Sequence, residues 1–81
     1  NNFKLNIMSV TKIKIDNNHT IEVRQLQTGG NYNVGVRLLT NNVVVYGYIA
    51  KDGTTNETIK QDVSEWIERK KDNSLLQSLL K

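Results

Sequence analysis

Of the side chains that could do acid–base work, His19 stands apart: it is the single histidine in 81 residues, and the chain has no cysteine. It falls in the turn-forming run Asn17-Asn18-His19 and is expected as a solvated loop residue with no fixed acid or base beside it. One histidine without cysteine makes no zinc site unless carboxylates supply the other ligands. The carboxylates Asp62, Glu65 and Glu68 alternate with Lys60, Arg69 and Lys71 at helical spacing, which reads as a solubilising, mutually paired face. Gly29-Gly30 lacks the strand–loop–helix setting and the lysine of a phosphate loop. Asp52-Gly53 lacks the acidic ligands that follow in a calcium loop. The expectation is a protein that is not an enzyme and uses neither cofactor nor metal.

Binding chemistry is better represented. Lys12 and Lys14 alternate with Ile13 and Ile15, Arg24 follows Val23, Arg37 lies between Val36 and Leu38, and Tyr46 and Tyr48 flank Gly47. In extended strands such alternation sends the two sets to opposite faces. The turn positions then predict one cross-strand row of Lys14, Glu22, Arg37 and Tyr46, and a second of Lys12, Arg24, Gly35 and Tyr48. Cations neutralise phosphates, aromatic rings offer stacking faces, and a sheet can enter the major groove, where arginine reads guanine. The purely structural account of the same residues is cross-strand stabilisation. Glu22 pairs with Lys14 and Arg37, Arg37 stacks on Tyr46 and Tyr48 covers Gly35, each contact contributing roughly 0.2–1 kcal/mol.

Charge is distributed to suit the binding account. Residues 1–51 carry six basic residues against two acids, whereas residues 52–81 carry five against six. The net charge of +3 therefore resides in the first half.

The elements that must hold these side chains are four strands followed by helix, an α+β order. The strands are expected near Val10–Asp16, Thr20–Gln27, Tyr32–Leu39 and Val43–Ala50. A two-residue turn at Gly29-Gly30 pairs Ile21 with Leu38 and Val23 with Val36. A second at Asn41-Asn42 pairs Leu38 with Val45, Val36 with Gly47 and Val34 with Ile49. A three-residue loop Asn17-Asn18-His19 pairs Ile15 with Ile21 and Ile13 with Val23. In this register one face is apolar across every strand, and a slip of one residue anywhere breaks the agreement. Residues 1–9 read as an N-terminal extension or an extra strand, Phe3, Leu5 and Ile7 alternating within them.

The helix is expected from about Asn56, capped either by Thr54 with Glu57 or by Asn56 itself. Ile59, Val63, Trp66, Ile67 and the stem of Lys70 make one stripe for the apolar sheet face. Gly47 is the expected notch for Trp66. Asp72-Asn73-Ser74 interrupts the stripe and is expected to cap a short second helix, whose Leu75, Leu76, Leu79 and Leu80 either close the core or form a homodimer or partner seam. The fold class is thus a four-stranded antiparallel β-meander with one long C-terminal helix on one face and a short second helix, in one small domain. The fourth strand, or the N-terminal segment, is a further place for another chain to pair.

Strands two to four and the long helix, Thr20 to Lys71, resemble in topology the apetala-type domains of plant transcription factors and phage-type integrases. Those lay a three-stranded sheet, backed by one helix, in the major groove. The resemblance implies DNA binding through the sheet, with Arg24 and Arg37 as the only arginines on its strands. The expected function is a small binding module for nucleic acid, DNA first, with a protein–protein adaptor or inhibitor as the alternative. No apolar run approaches the ~18 residues of a membrane span, which fits a cytoplasmic protein. Abundant Asn, Lys and Ile with no proline suits an AT-rich genome such as that of a phage or mobile element.

Overall fold

The computed structural model describes residues 10–80; the expected extension or strand at residues 1–9 lies outside them. Four strands run in order β1 (Val10–Lys14), β2 (His19–Gln25), β3 (Tyr32–Thr40) and β4 (Val43–Lys51), followed by one helix, α1 (Asn56–Leu80). The strands form one antiparallel sheet with neighbours in sequence order, the expected meander.

Each hairpin follows from its turn. Asn41 and Asn42 both take positive φ (51° and 69°), matching a two-residue turn whose twist suits the strands on either side. Gly29 also takes positive φ (73°), and Leu26 N–H bonds to the Asn33 carbonyl just above that turn. This sets Ile21 against Leu38 and Val23 against Val36, as expected.

Two registers differ from expectation. Between β1 and β2, Ile13 faces Ile21 and Thr11 faces Val23, a shift of two residues. The cause is Asp16. Its Oδ1 accepts the N–H groups of Asn18 and His19, both at 2.8 Å, so the loop is Asp16-Asn17-Asn18 and His19 opens β2. A two-residue shift preserves faces, so the lysines of β1 stay outward.

Between β3 and β4 the change has larger consequences. Leu39 pairs with Val44, but Leu38 pairs with Tyr46, leaving Val45 as an extra residue in β4. Beyond this bulge Arg37 faces Gly47, Val36 faces Tyr48 and Val34 faces Ala50. Tyr46 and Tyr48 therefore join the helix side, and Gly47 moves to the outer side. Had the register run straight, Gly47 would lie under the helix and leave a gap beside Trp66. The bulge instead supplies two aromatic bodies, each with a large apolar area to cover.

Thr55 starts α1: its Oγ1 accepts the Thr58 N–H at 3.2 Å. Neither expected cap forms, because the Thr54 hydroxyl donates to the Lys51 carbonyl at 2.6 Å instead. The core joins Ile21, Val34, Val36, Leu38 and Ala50 of the sheet to Ile59, Val63 and Ile67 of α1, with Tyr46, Tyr48 and Trp66 packed at its margin. The helical stripe thus falls as its spacing requires.

The short second helix expected after Asp72-Asn73-Ser74 does not form. Asp72, Asn73 and Ser74 continue α1 to Leu80. They lower helix propensity without breaking the helix, since neither proline nor glycine is among them. At about 100° per residue, Leu75, Leu76, Leu79 and Leu80 lie on the side of α1 roughly opposite Ile59, Val63 and Ile67. They are 55–76% exposed and so do not close the core. The last ten residues of the helix are all exposed, forming an arm of about 15 Å beyond the packed stripe. No helix among the described residues is long and apolar enough to cross a membrane.

Candidate binding face

The helix covers one side of the sheet, and the described residues place no element over the other. On that open side β1, β2 and β3 each present cations, spaced by the pleat. One row runs Lys12, Glu22, Arg37, Gly47 and the next Val10, Arg24, Gly35, Ile49. A third, nearer the turns, runs Lys14, Thr20, Leu39, Val44. Lys12, Lys14, Arg24 and Arg37 are thus all on one face and all exposed, as expected.

The tyrosines expected beside them are not there. Tyr46 stacks on Trp66 beneath the helix, with ring centroids 4.4 Å apart and planes 12° from parallel. Tyr48 lies 5.7 Å from Tyr46 on the same side. The anticipated contacts of Arg37 with Tyr46 and of Tyr48 with Gly35 therefore do not exist. Gly35 is covered by the Leu26 side chain and the Arg24 stem, which an added Cβ would meet at 3.1 and 3.3 Å. Gly47 is not the notch for Trp66; its missing side chain would point outward, against the Val36 carbonyl at 3.1 Å.

Glu22 is the one acid that the four strands place on this face. Its Oε1 accepts from Arg37 Nη2 at 2.6 Å and Nε at 3.1 Å. This guanidinium holds the Glu22 carboxyl below the usual range, and the nearby charges of Lys12 and Arg24 act in the same direction. The face is therefore a net-positive surface with one internal ion pair, not a set of mutually neutralised pairs. Its far edge, along β4, is apolar: Val44 and Ile49 are about half exposed (47% and 52%).

His19 is not the isolated loop side chain that its surroundings in sequence suggest. Its Nδ1 lies 2.9 and 3.0 Å from the two oxygens of Asp16, and its side chain is only 20% exposed. The Asp16 carboxyl is pulled below the usual range, first by the Asn18 N–H and then by the His19 ring. The spacing Asp16-x-x-His19 carries this signal, since an aspartate at the head of a short turn commonly caps the amides that follow. Beside His19, a shallow hollow of about 470 Å³ is lined by Thr40, Val45, Trp66, Ile67, Lys70, Lys71 and Ser74. Lys70 Nζ sits 5.4 Å from the Trp66 ring centre at its rim, a cation–π contact. Among the described residues no three His, Asp or Glu side chains gather as a metal site would require.

Compared with protein-family models, with curated proteins and with solved structures, the chain has no match.

Proposed function

We infer that the domain is a non-catalytic nucleic-acid-binding module that lays its uncovered sheet face against duplex DNA. The observation that carries this reading is the convergence of Lys12, Lys14, Arg24 and Arg37 on the one face that the helix leaves free. Four cations against one acid favour a polyanion. The inward turn of Tyr46 and Tyr48 bears on the kind of nucleic acid. Single-strand binding draws much of its energy from bases stacked on exposed rings, and the two tyrosines of β4 stand on the helix side, away from these cations. Phosphate contact along a duplex uses charge alone, and Arg24 and Arg37 have the reach to read base edges in the major groove.

The test is fluorescence anisotropy of a labelled duplex titrated with the protein over a salt series. With about three phosphates neutralised, affinity should fall roughly 50-fold between about 50 and 200 mM salt. Arg24→Ala combined with Arg37→Ala should abolish binding, and a single strand of the same length should bind more weakly than the duplex. No binding at the lowest salt would end this reading.

A second reading, a protein–protein adaptor or inhibitor of the kind mobile elements carry, draws on the exposed leucines of the α1 arm. It differs in its response to nuclease: a partner captured from lysate through the leucine arm should remain after nucleic acid is digested.

A further inference from the structure

The two edges of the sheet are treated differently. The β1 edge carries Lys12 and Lys14, both exposed. Lysine is a usual means by which a strand edge is kept from pairing with another chain. The β4 edge has nine residues, and its only charge is Lys51 at the end. Val43, Val44, Val45 and Ile49 are 44–62% exposed. Among the described residues β4 pairs with β3 alone, so the outward N–H and C=O groups of its second edge have no strand partner.

We propose that β4 is a homodimer edge, pairing antiparallel with β4 of a second copy about a two-fold axis at Tyr48. The argument for this occupant is volume. The bulge at Val45 interrupts the first part of the strand, and the regular stretch that follows is Tyr46 to Ala50. Folded back on itself about Tyr48, that stretch sets the large side chains on either side of the axis against small ones. Tyr46 falls beside Ala50 of the second copy on the helix side. Ile49 falls beside Gly47 of the second copy on the open side, where there is no side chain to collide with. Tyr48 meets its own counterpart, an aromatic cross-strand pair.

Charge does not oppose the pairing. Lys51 ends β4 three residues from the axis, about 20 Å along the strand from Lys51 of the second copy; the next cation on the open face is Arg37, one strand in from the edge and already paired with Glu22. Its distance from the Arg37 of the second copy would be three strand spacings, about 14 Å. That exceeds the screening length of about 8 Å at physiological salt. The product is an eight-stranded sheet with both helices on one face and both sets of cations on the other. The pairing does not depend on whether that open face binds nucleic acid.

Sedimentation velocity of the whole chain, from low micromolar to several hundred micromolar, tests the proposal. The native protein should shift from monomer to dimer. Ile49→Lys, at a half-exposed position outside the core, should weaken association at least ten-fold while leaving the far-ultraviolet circular dichroism unchanged. Leu75→Ser with Leu79→Ser should leave the dimer intact. A native protein that stays monomeric throughout overturns the proposal, as does a dimer that survives Ile49→Lys and dissolves with the leucine changes. If Ile49→Lys does not fold, amide exchange on the native chain decides. Protection across Tyr46 to Ala50 must rise with protein concentration, and protection independent of concentration overturns the proposal.

Discussion

Tyr46 lies flat against Trp66, 4.4 Å between ring centres, and this stack joins the last strand of the sheet to the helix. It exists because β4 carries one residue more than β3 between their turn and Tyr46. A tyrosine on the open face would contribute little to folding. One stacked under the helix contributes both its buried area and an aromatic contact of about 0.5–1.5 kcal/mol. Trp66→Ala should therefore destabilise the domain by about 2–4 kcal/mol, lowering the thermal midpoint by at least about 10 °C. Tyr46→Ala should also destabilise clearly. Tryptophan fluorescence follows the unfolding of the native protein and of Tyr46→Ala, and far-ultraviolet circular dichroism follows Trp66→Ala, which lacks the single tryptophan. A midpoint for Tyr46→Ala within a degree or two of the native value would place this tyrosine outside the folded core.

The same stack marks where reading the sequence reaches its limit. Glycine and asparagine pairs announce turns because few other residues accept positive φ, so strand order and the β2–β3 register follow directly from residue type. Strict alternation likewise sorts Lys12, Lys14, Arg24 and Arg37 onto one face. In Val43-Val44-Val45 there is no alternation, and all three residues suit either face. Nothing local then says where an extra residue is absorbed; the helix decides, by what Trp66 needs beneath it. The shift at Asp16 has a different origin. A side-chain oxygen competes with the backbone for the turn amides, and a one-residue move of the loop becomes a two-residue slip of the register. The continuous helix through Asp72-Asn73-Ser74 is a third case: residues that can cap a helix need not do so when the backbone on both sides is already helical.

Asp16 should govern part of the acid stability. Its carboxyl is depressed in the folded state because ionised oxygens accept from Asn18, His19 and the His19 ring. A depressed acid adds stability above its unfolded pKa, near 3.8, and that stability disappears as pH falls through the lower folded value. Asp16→Ala should thus be less stable than the native protein at neutral pH. The gap should narrow as pH falls below 3.8 and on through the lower folded value, where both states of the native protein come to bind the proton. Urea titrations at pH 7 and at low pH measure this; a gap of equal size at both would mean that ionisation of Asp16 plays no part.

Tyr48 carries a hydroxyl that is buried without a hydrogen-bond partner. Burial pushes its pKa up, and the charge of Asp62 acts the same way. Tyr48→Phe removes the unmet polar group and keeps the ring, so it should be neutral or stabilising by up to about 1 kcal/mol. The pH dependence supplies a second sign. A raised folded pKa means that stability is full below the unfolded value, near 10, and is lost as pH rises beyond it. The phenylalanine variant should therefore retain more of its stability than the native protein in alkaline solution. Clear destabilisation at pH 7 would show that the hydroxyl has a bonding partner after all.

Glu22→Gln separates folding from binding. The Arg37 ion pair is partly exposed, and pairs of that kind contribute less than about 1 kcal/mol. The variant should lose little stability. It frees the Arg37 guanidinium and removes the acid from the open face, so duplex DNA should bind several-fold more tightly at low salt, with a steeper salt dependence. Unchanged or weaker binding would argue that Glu22 positions Arg37 for its contact rather than neutralising it.

Removing the arm is the sharpest separation of core from surface. Ile67 is the last buried residue of α1, and Lys70 Nζ lies 5.4 Å from the Trp66 ring centre one turn on. Residues 72–80 are all exposed, Leu75 and Leu79 at 63% and 73%. A chain ending at Lys71 should keep its fold, with a thermal midpoint within a few degrees of the native value. Its duplex binding should also be unchanged, because the four cations lie on the far side of the sheet. Helices owe most of their stability to tertiary packing rather than propensity, so the unpacked arm should exchange its amide protons far faster than Ile59 to Ile67. If truncation instead unfolds the domain or greatly lowers its midpoint, the leucines must be covered in solution. Their cover would then be a second copy or a protein partner, and the arm would be the interface.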